Sequence, residues 1–366
     1  MKNATLTTLT PVHIGSGEEL KSKIEYLYDG QKIAVIDEKK VLEIIGKENI
    51  DHWVSIIQNN ESESLLDYLY SCKNDFTIAD VAKRIIEIPD EEDKSRHLSL
   101  KEQLHNGKSL PMIPGSSIKG AIRTALLTRL IIEQNNIHST DLKNKKGKWT
   151  SQIIEKKLLG DTRSDPLRFL RISDAHFTPE TLALNMKIMN FQRNGWEFKR
   201  GGNQLTEMIW GEDTATVKIG FQNELTKANQ ERGYISGDFP WLNDLPVLCD
   251  EINKHTSWLI DKELTFWKEQ QYEHAAIDQY ISFMEDIQKQ LNEIEADKEM
   301  ILRLGHGSGW NFITGGWTKY LENILNDHEY DELFDFLGKK DALMFPKTRK
   351  MDSIGELLGF IKISFG

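Results

Sequence analysis

Two β-prone runs, Ile24-Glu25-Tyr26-Leu27-Tyr28 and Lys32-Ile33-Ala34-Val35-Ile36, meet around Asp29-Gly30. A turn dipeptide of that kind between two such runs is the strongest local signal for an antiparallel hairpin. Far down the chain, Ile277, Ile281, Met284, Ile287, Leu291 and Ile294 recur at steps of three and four. That spacing is a helical seam, and it lasts under three heptads, so packing within the chain is expected over a coiled coil between chains. Any fold for this sequence must therefore combine sheet with long helices.

The remaining pattern fills in around these anchors. Thr5 to Thr10 reads as strand and leads into a turn-rich loop, Pro11-Val12-His13-Ile14-Gly15-Ser16-Gly17. Lys39 to Ile88 reads as helical, with Val81, Ala82, Ile85 and Ile86 at helical spacing, and Pro89 ends it. Asp90-Glu91-Glu92-Asp93 is expected to be a solvated loop. A helix is expected after Pro114, with Ile118, Ala121, Ile122, Ala125 and Leu126 on one face and Ser116 or Ser117 as N-cap. Arg168 to Ala175 reads as a strand, and Arg193 to Gly202 as a mobile loop or hairpin tip. Met300 to Leu304 and Leu357 to Phe365 are β-like or β-prone.

Composition narrows the class. The chain has 366 residues, which at about 150 per domain suggests two. With 46 basic and 57 acidic residues the net charge is −11, which argues against a free-standing, non-specific DNA binder. No apolar run approaches the roughly 20 residues a membrane helix needs. The N-terminus has no apolar signal region, and two cysteines exclude a disulfide scaffold and a Cys-rich zinc site; a cytoplasmic protein is expected. The motifs H-E-x-x-H, G-x-S-x-G and paired C-x-x-C are absent, and no spacing singles out a metal site or a cofactor.

The charge is unevenly spread. Lys108 to Ile132 has four bases and no acid, Asp141 to Arg171 nine bases and four acids, and Lys187 to Arg200 four bases and one acid. Asp261 to Glu299 holds eleven acids and four bases. In the basic stretch, Gly115-Ser116-Ser117-Ile118-Lys119-Gly120 opens a helix, and Arg123 follows on the same face as Lys119. Helix-terminal amides with those two bases make either a phosphate seat or simply a well-capped helix with solvated bases. Gly305-His306-Gly307-Ser308-Gly309-Trp310 fails the dinucleotide fingerprint, because Trp310 stands where the third glycine belongs. It is either a bare backbone for an anion, with His306 and Trp310 to stack on a base, or a tight turn around a buried Trp. His13 either packs in the fold or serves as a general base.

Three segments taken together carry a resemblance: Val12 to Gly17, Ile113 to Arg123, and Leu304 to Trp310. The second resembles the PGSSLKGxxR signature of the RAMP superfamily of CRISPR proteins, and the third its C-terminal glycine-rich loop. With the Arg171-Ile172-Ser173-Asp174 strand, the order is similar to the Csm-type subunit that caps the CRISPR RNA 3′ end in the type III-A effector complex. The resemblance implies an α+β fold of two ferredoxin-like (RRM-like) domains with a large helical insertion. Expected bounds are 1–210, and 211–366 with an acidic helical region at about 241–299 and the glycine-rich loop at 304–310. It implies a non-catalytic RNA-binding subunit acting in CRISPR RNA maturation and complex assembly. Its partners would be CRISPR RNA, backbone RAMP and small helical subunits, and host nucleases. The RNA-binding residues so implied, together with basic residues in the surrounding clusters, are His13, Gly15, Ser16, Gly17, Gly115, Ser116, Ser117, Lys119, Gly120, Arg123, Arg171, Arg193, Lys199, Arg200, Gly305, His306, Gly307, Ser308, Gly309 and Trp310. The acidic helices should face away from RNA. Two other readings stand beside this one: a metal-independent endoribonuclease using His13 or His306 as acid–base, and a different RAMP position in the complex.

Overall fold

A computed structural model describes residues 1–58, 64–89, 99–133, 137–193, 195–235, 237, 239–312, 317, 321, 325–336 and 346–366. The acidic run Asp90 to Asp93, and Asn194, lie outside the described residues.

Alternating burial builds a first sheet around Lys2–Thr8, whose Ala4, Leu6 and Thr8 point inward. Thr214–Phe221 and Phe360–Phe365 flank it antiparallel, with Leu170–Ile172 and Glu299–Arg303 at the two edges. The helices Gly115–Glu133 and Leu245–Lys268 contribute to the core that this sheet buries, through Ile118, Ile122 and Leu126 and through Leu248 and Ile252. Arg129 Nε ties the two helices together at 2.9 Å from Glu251 Oε2. In chain order, Lys2–Thr8, Gly115–Glu133, Leu170–Ile172, Thr214–Phe221, Leu245–Lys268 and Phe360–Phe365 run strand, helix, strand, strand, helix, strand. In space the four strands stand fourth, first, third, second, which is the ferredoxin-like succession in outline.

The second such unit expected from the sequence is not formed by the other strands. Nine of them make a curled sheet with two parallel pairings, Thr181–Gln192 with Ala82–Glu87 and Gln204–Met208 with Ser99–Gln103, and Met112–Ile113 pairs separately with Ala175–His176. Its path begins at Gly15–Lys21 and ends at Tyr26–Tyr28, which are consecutive in the chain and bridged at Ser22 and Tyr26, so the sheet rolls back on itself like a barrel. Leu20, Tyr26, Ile33, Val35, Ile86, Leu100, Ala183 and Leu205 cluster within it. Two residues along the same strands, the same faces carry Arg84, Glu102, Thr181 and Glu207. The first sheet draws strands from both sides of residue 210, so that boundary does not divide the sheets.

The Asp29-Gly30 hairpin forms as read, Tyr26–Tyr28 against Lys32–Ile36. The helical reading of Val81 to Ile86 is corrected: Ala82–Glu87 is a strand whose Ala82, Arg84 and Ile86 are buried in alternation. Two paired isoleucines fit helical spacing over so short a run, and the period of two wins once partners lie on both sides. The seam from Ile277 lies on Ala275–Glu293 and packs against Leu259, Leu264 and Trp267 of Leu245–Lys268, within one core. Asp278, Glu285, Asp286 and Glu293 on its other side are exposed. No helix of the described residues is long and apolar enough to cross a membrane.

Candidate nucleic-acid interface

The C-terminal glycine loop follows the edge strand Glu299–Arg303. Gly305, Gly307 and Gly309 all have φ between 83° and 91°, a region other L-residues rarely enter. A Cβ on Gly305 would lie 2.6 Å from the His13 carbonyl oxygen, and one on Gly307 2.8 Å from Leu358 Cδ1. The loop is braced on the N-terminal segment: the His306 N–H donates to the His13 carbonyl at 2.9 Å, and the two rings meet edge to face at 5.7 Å. Ser308 is buried and its hydroxyl donates to the Gly305 carbonyl at 2.7 Å. Gly305, His306, Gly307, Gly309 and Trp310 stay half-buried, so the loop is neither sealed nor free.

His13 itself is 2% exposed, with Nδ1 2.6 Å from the Glu207 carbonyl. It is a bracing residue inside the fold, the packing alternative of its two sequence readings, and not the RNA-contacting residue that the resemblance implies. Desolvation lowers its pKa. Burial, then the nearby Lys350 and Lys101, push that of His306 down to about 4. The His306 ring is thus neutral at pH 7, and its Nε2 accepts from the Lys350 ammonium at 2.6 Å. Gly15, Ser16 and Gly17 begin the edge strand Gly15–Lys21 rather than a loop. Gly17, at φ 96°, sits in the bulge between Gly15 and Glu19. Gly15 and Gly17 are exposed and Ser16 is half-buried.

The signature after Pro114 opens the Gly115–Glu133 helix, but neither serine caps it. The Pro114 carbonyl accepts from Ser117 and Ile118, and Asp174 Oδ1 accepts from the Gly115 N–H at 2.8 Å. Gly115 is required by packing, because a Cβ would lie 2.3 Å from the Ile172 carbonyl oxygen. Lys119 Nζ donates to the Leu170 carbonyl at 2.9 Å. Arg123 pairs with Asp165 and, at 3.5 Å, with Glu155. The two bases therefore do not stand free as a joint phosphate seat, since the segments packed beside the helix supply their partners. Ser116, Lys119, Gly120 and Arg123 still line an open cleft of about 570 Å³, whose other charges are Lys156, Arg168, Glu155, Asp161 and Asp165. Burial and then nearby Arg171 lower the pKa of Lys119. Arg171 is exposed, with Nε 3.2 Å from Gln222 Oε1.

Arg193, Lys199 and Arg200 are exposed around the hairpin formed by Thr181–Gln192 and Gly195–Phe198. Trp196 pins that hairpin down: it is 5% exposed and packs on Trp267, Phe266 and Phe191. The sequence reading missed Lys101, Lys350 and the Arg84–Glu207 pair. They lie in ordinary strand patterns, and only the folding of distant strands brings them to the glycine loop or into the rolled sheet.

Comparison with known proteins agrees with the resemblance drawn from the motifs. A family model described as the RAMP superfamily matches residues 5–312. A Streptococcus thermophilus protein named CRISPR system Cms protein Csm5 is 25% identical over 361 residues, 94% of this chain and 87% of its own. One of the same name from Methanocaldococcus jannaschii is 25% identical over 327 residues, 82% of this chain and 70% of its own. In fold, the chain is similar to one in the cryo-EM structure of a Csm-crRNA-target RNA ternary complex of a type III-A CRISPR-Cas system. The TM-score is 0.70 at 19% identity, covering 99% of this chain and 100% of that one. It is also similar to the crystal structure of T. onnurineus Csm5, with a TM-score of 0.65 at 17% identity, covering 98% and 99%. With a family match across most of its length and glycine-loop motifs in the expected order, the chain belongs to the RAMP superfamily.

Proposed function

We propose that this chain is a non-catalytic RNA-binding subunit of a type III-A CRISPR effector complex, capping the 3′ end of the CRISPR RNA and supporting its maturation and the assembly of the complex. The observation that carries the reading is the Gly305–Trp310 loop: bare, half-open backbone braced on His13, with lysines beside it. Phosphate contacts supply much of the affinity for RNA, and glycine lets the strand approach the backbone. The exposed residues Gly15, Gly17, Arg171, Arg193, Lys199 and Arg200 and the cleft residues Ser116, Lys119 and Gly120 extend that surface. Gly115, Ser117, Arg123 and His13 hold the fold that presents it. The exposed acids of Ala275–Glu293 face away from the RNA, toward solvent or a protein neighbour. The neighbours are backbone RAMP and small helical subunits, with host nucleases recruited for trimming.

The non-catalytic part rests on His13 and His306. The first is sealed in the fold with one ring nitrogen engaged, and the second is neutral and tied to Lys350. Reconstitution of the complex with and without this chain tests the function, by sizing the bound CRISPR RNA. Loss of mature 3′ ends without the chain is expected, whereas an unchanged length distribution would remove the capping role. Purified protein incubated with precursor RNA in EDTA should leave it intact. Site-specific cleavage abolished by His13→Ala would make the chain an enzyme.

A further inference from the structure

We propose that Lys101 and Lys350 form a seat for one phosphodiester group of single-stranded RNA beside the Gly305–Trp310 loop, with His306 as the residue that positions Lys350. The inference rests on the RNA-binding reading and adds the side chains that carry its charge.

Strand alternation brings the two lysines out of the fold. On Thr348–Met351, Arg349 and Met351 are buried while Lys350 is half-exposed and reaches His306. On Ser99–Gln103, Leu100 belongs to the core of the rolled sheet and Glu102 turns to Arg84 on that same face, so Lys101 points to the other face. The two ammonium groups lie close enough to act on one another and on the rings of His13 and His306.

This pair shares with Lys119 and Arg171 the lack of an ion pair among the described residues, and adds to it a position at the glycine loop, where Lys350 meets His306. Arg84, Arg123, Arg129, Lys143 and Arg349 each meet a carboxylate. Lys101 and Lys350 form no ion pair among the described residues. Glu19 stands across the strand from Lys101 but forms no ion pair with it, its carboxylate accepting from Ser99 Oγ at 3.4 Å, and Glu207 is held by Arg84. Lys350 is fixed instead by a neutral imidazole, which orients the ammonium without cancelling its charge. Two like charges in a partly desolvated site repel, and an anion between them relieves that repulsion. The adjacent glycines leave room for a sugar–phosphate strand to supply it.

The test is binding of a labelled, unstructured single-stranded RNA oligonucleotide by fluorescence anisotropy across a KCl titration. Lys101→Gln/Lys350→Gln should lose roughly tenfold or more in affinity. The slope of log K against log salt should fall by about 0.7. Lys101→Arg/Lys350→Arg keeps both charges and should retain most of the binding. His306→Glu, which sets a carboxylate against Lys350, should weaken binding as removal of Lys350 does, while His306→Gln keeps an acceptor and should not. Lys101→Gln alone, at a side chain with no hydrogen-bond or ion-pair partner among the described residues, should show part of the loss with unchanged thermal unfolding. If wild type binds and the double Gln variant matches it in affinity and slope, the seat is wrong and the RNA-binding reading stands. If wild type does not bind RNA alone or in the assembled complex, both fall.

Discussion

The amide of His306 donates to the carbonyl of His13 at 2.9 Å, and the two imidazoles meet edge to face. Segments near the two ends of the chain are thereby joined, and the Gly359 N–H donating to the Pro11 carbonyl at 2.9 Å makes a second such link. The glycine loop takes its shape from this bracing as much as from its own sequence.

Gly305 and Gly309 separate bracing from backbone strain. Both have φ near 83°, but an added Cβ meets the His13 carbonyl at Gly305 and open space at Gly309. Gly309→Ala is expected to cost about 1 kcal/mol from backbone strain alone. Gly305→Ala should cost clearly more and weaken RNA binding, because the loop must leave His13. Urea unfolding of the two variants gives the ranking, and the reverse order would remove the bracing role.

Glu207 is fully buried, and it accepts from Arg84 Nε at 2.9 Å, Thr181 Oγ1 at 2.9 Å and the Gln103 N–H at 3.1 Å. Glu207→Ala leaves the Arg84 charge short of its partner inside the rolled sheet, at an expected cost of about 3–5 kcal/mol. Equilibrium unfolding measures it, and a loss below about 1 kcal/mol, the range of an exposed pair, would show that the sheet interior is wet.

Arg123 is expected to act on stability rather than on RNA. Its side chain is 31% exposed and paired with Asp165 and Glu155. Arg123→Gln should cost up to about 1 kcal/mol and leave RNA affinity nearly unchanged. A large affinity loss with intact stability would return the phosphate role to this helix.

Acid should destabilise the fold through its buried histidines. Burial lowers the pKa of His255 to about 3, and burial with nearby lysines lowers that of His306 to about 4, from an ordinary 6.5. Below about 6.5 the unfolded chain takes up protons that these rings refuse, so their contribution to stability falls as pH drops from there through about 4. Denaturation midpoints measured from pH 7 to 4 should decline. His255→Gln should flatten the decline, and an unchanged slope would contradict the assignment of His255.

Local chemistry made several elements legible. The Asp29-Gly30 hairpin, the Ile277 seam and the helix after Pro114 each announce themselves within one short continuous segment. Ala82–Glu87 did not, because the few apolar residues of so short a segment satisfy both periods until its neighbours are known. At the site, the glycine loop was readable from its spacing. The partners of Arg123 and Lys119 were not, since Asp165, Glu155 and the Leu170 carbonyl come from later segments packed on the helix. Packing inside the fold was one of the two readings of His13, but its partner was not legible, because nothing nearby in sequence reveals Glu207, whose carbonyl lies 2.6 Å from its ring nitrogen.

Photocrosslinking within the assembled effector complex bears on RNA capping most directly. Thiouridine placed at successive positions of the CRISPR RNA, with crosslinked peptides mapped by mass spectrometry, locates the strand on this chain. Crosslinks from 3′-proximal positions to the peptide containing His306 to Trp310 are expected. Crosslinks confined to the acidic Ala275–Glu293 helix, or absent from this chain at every position, would contradict it.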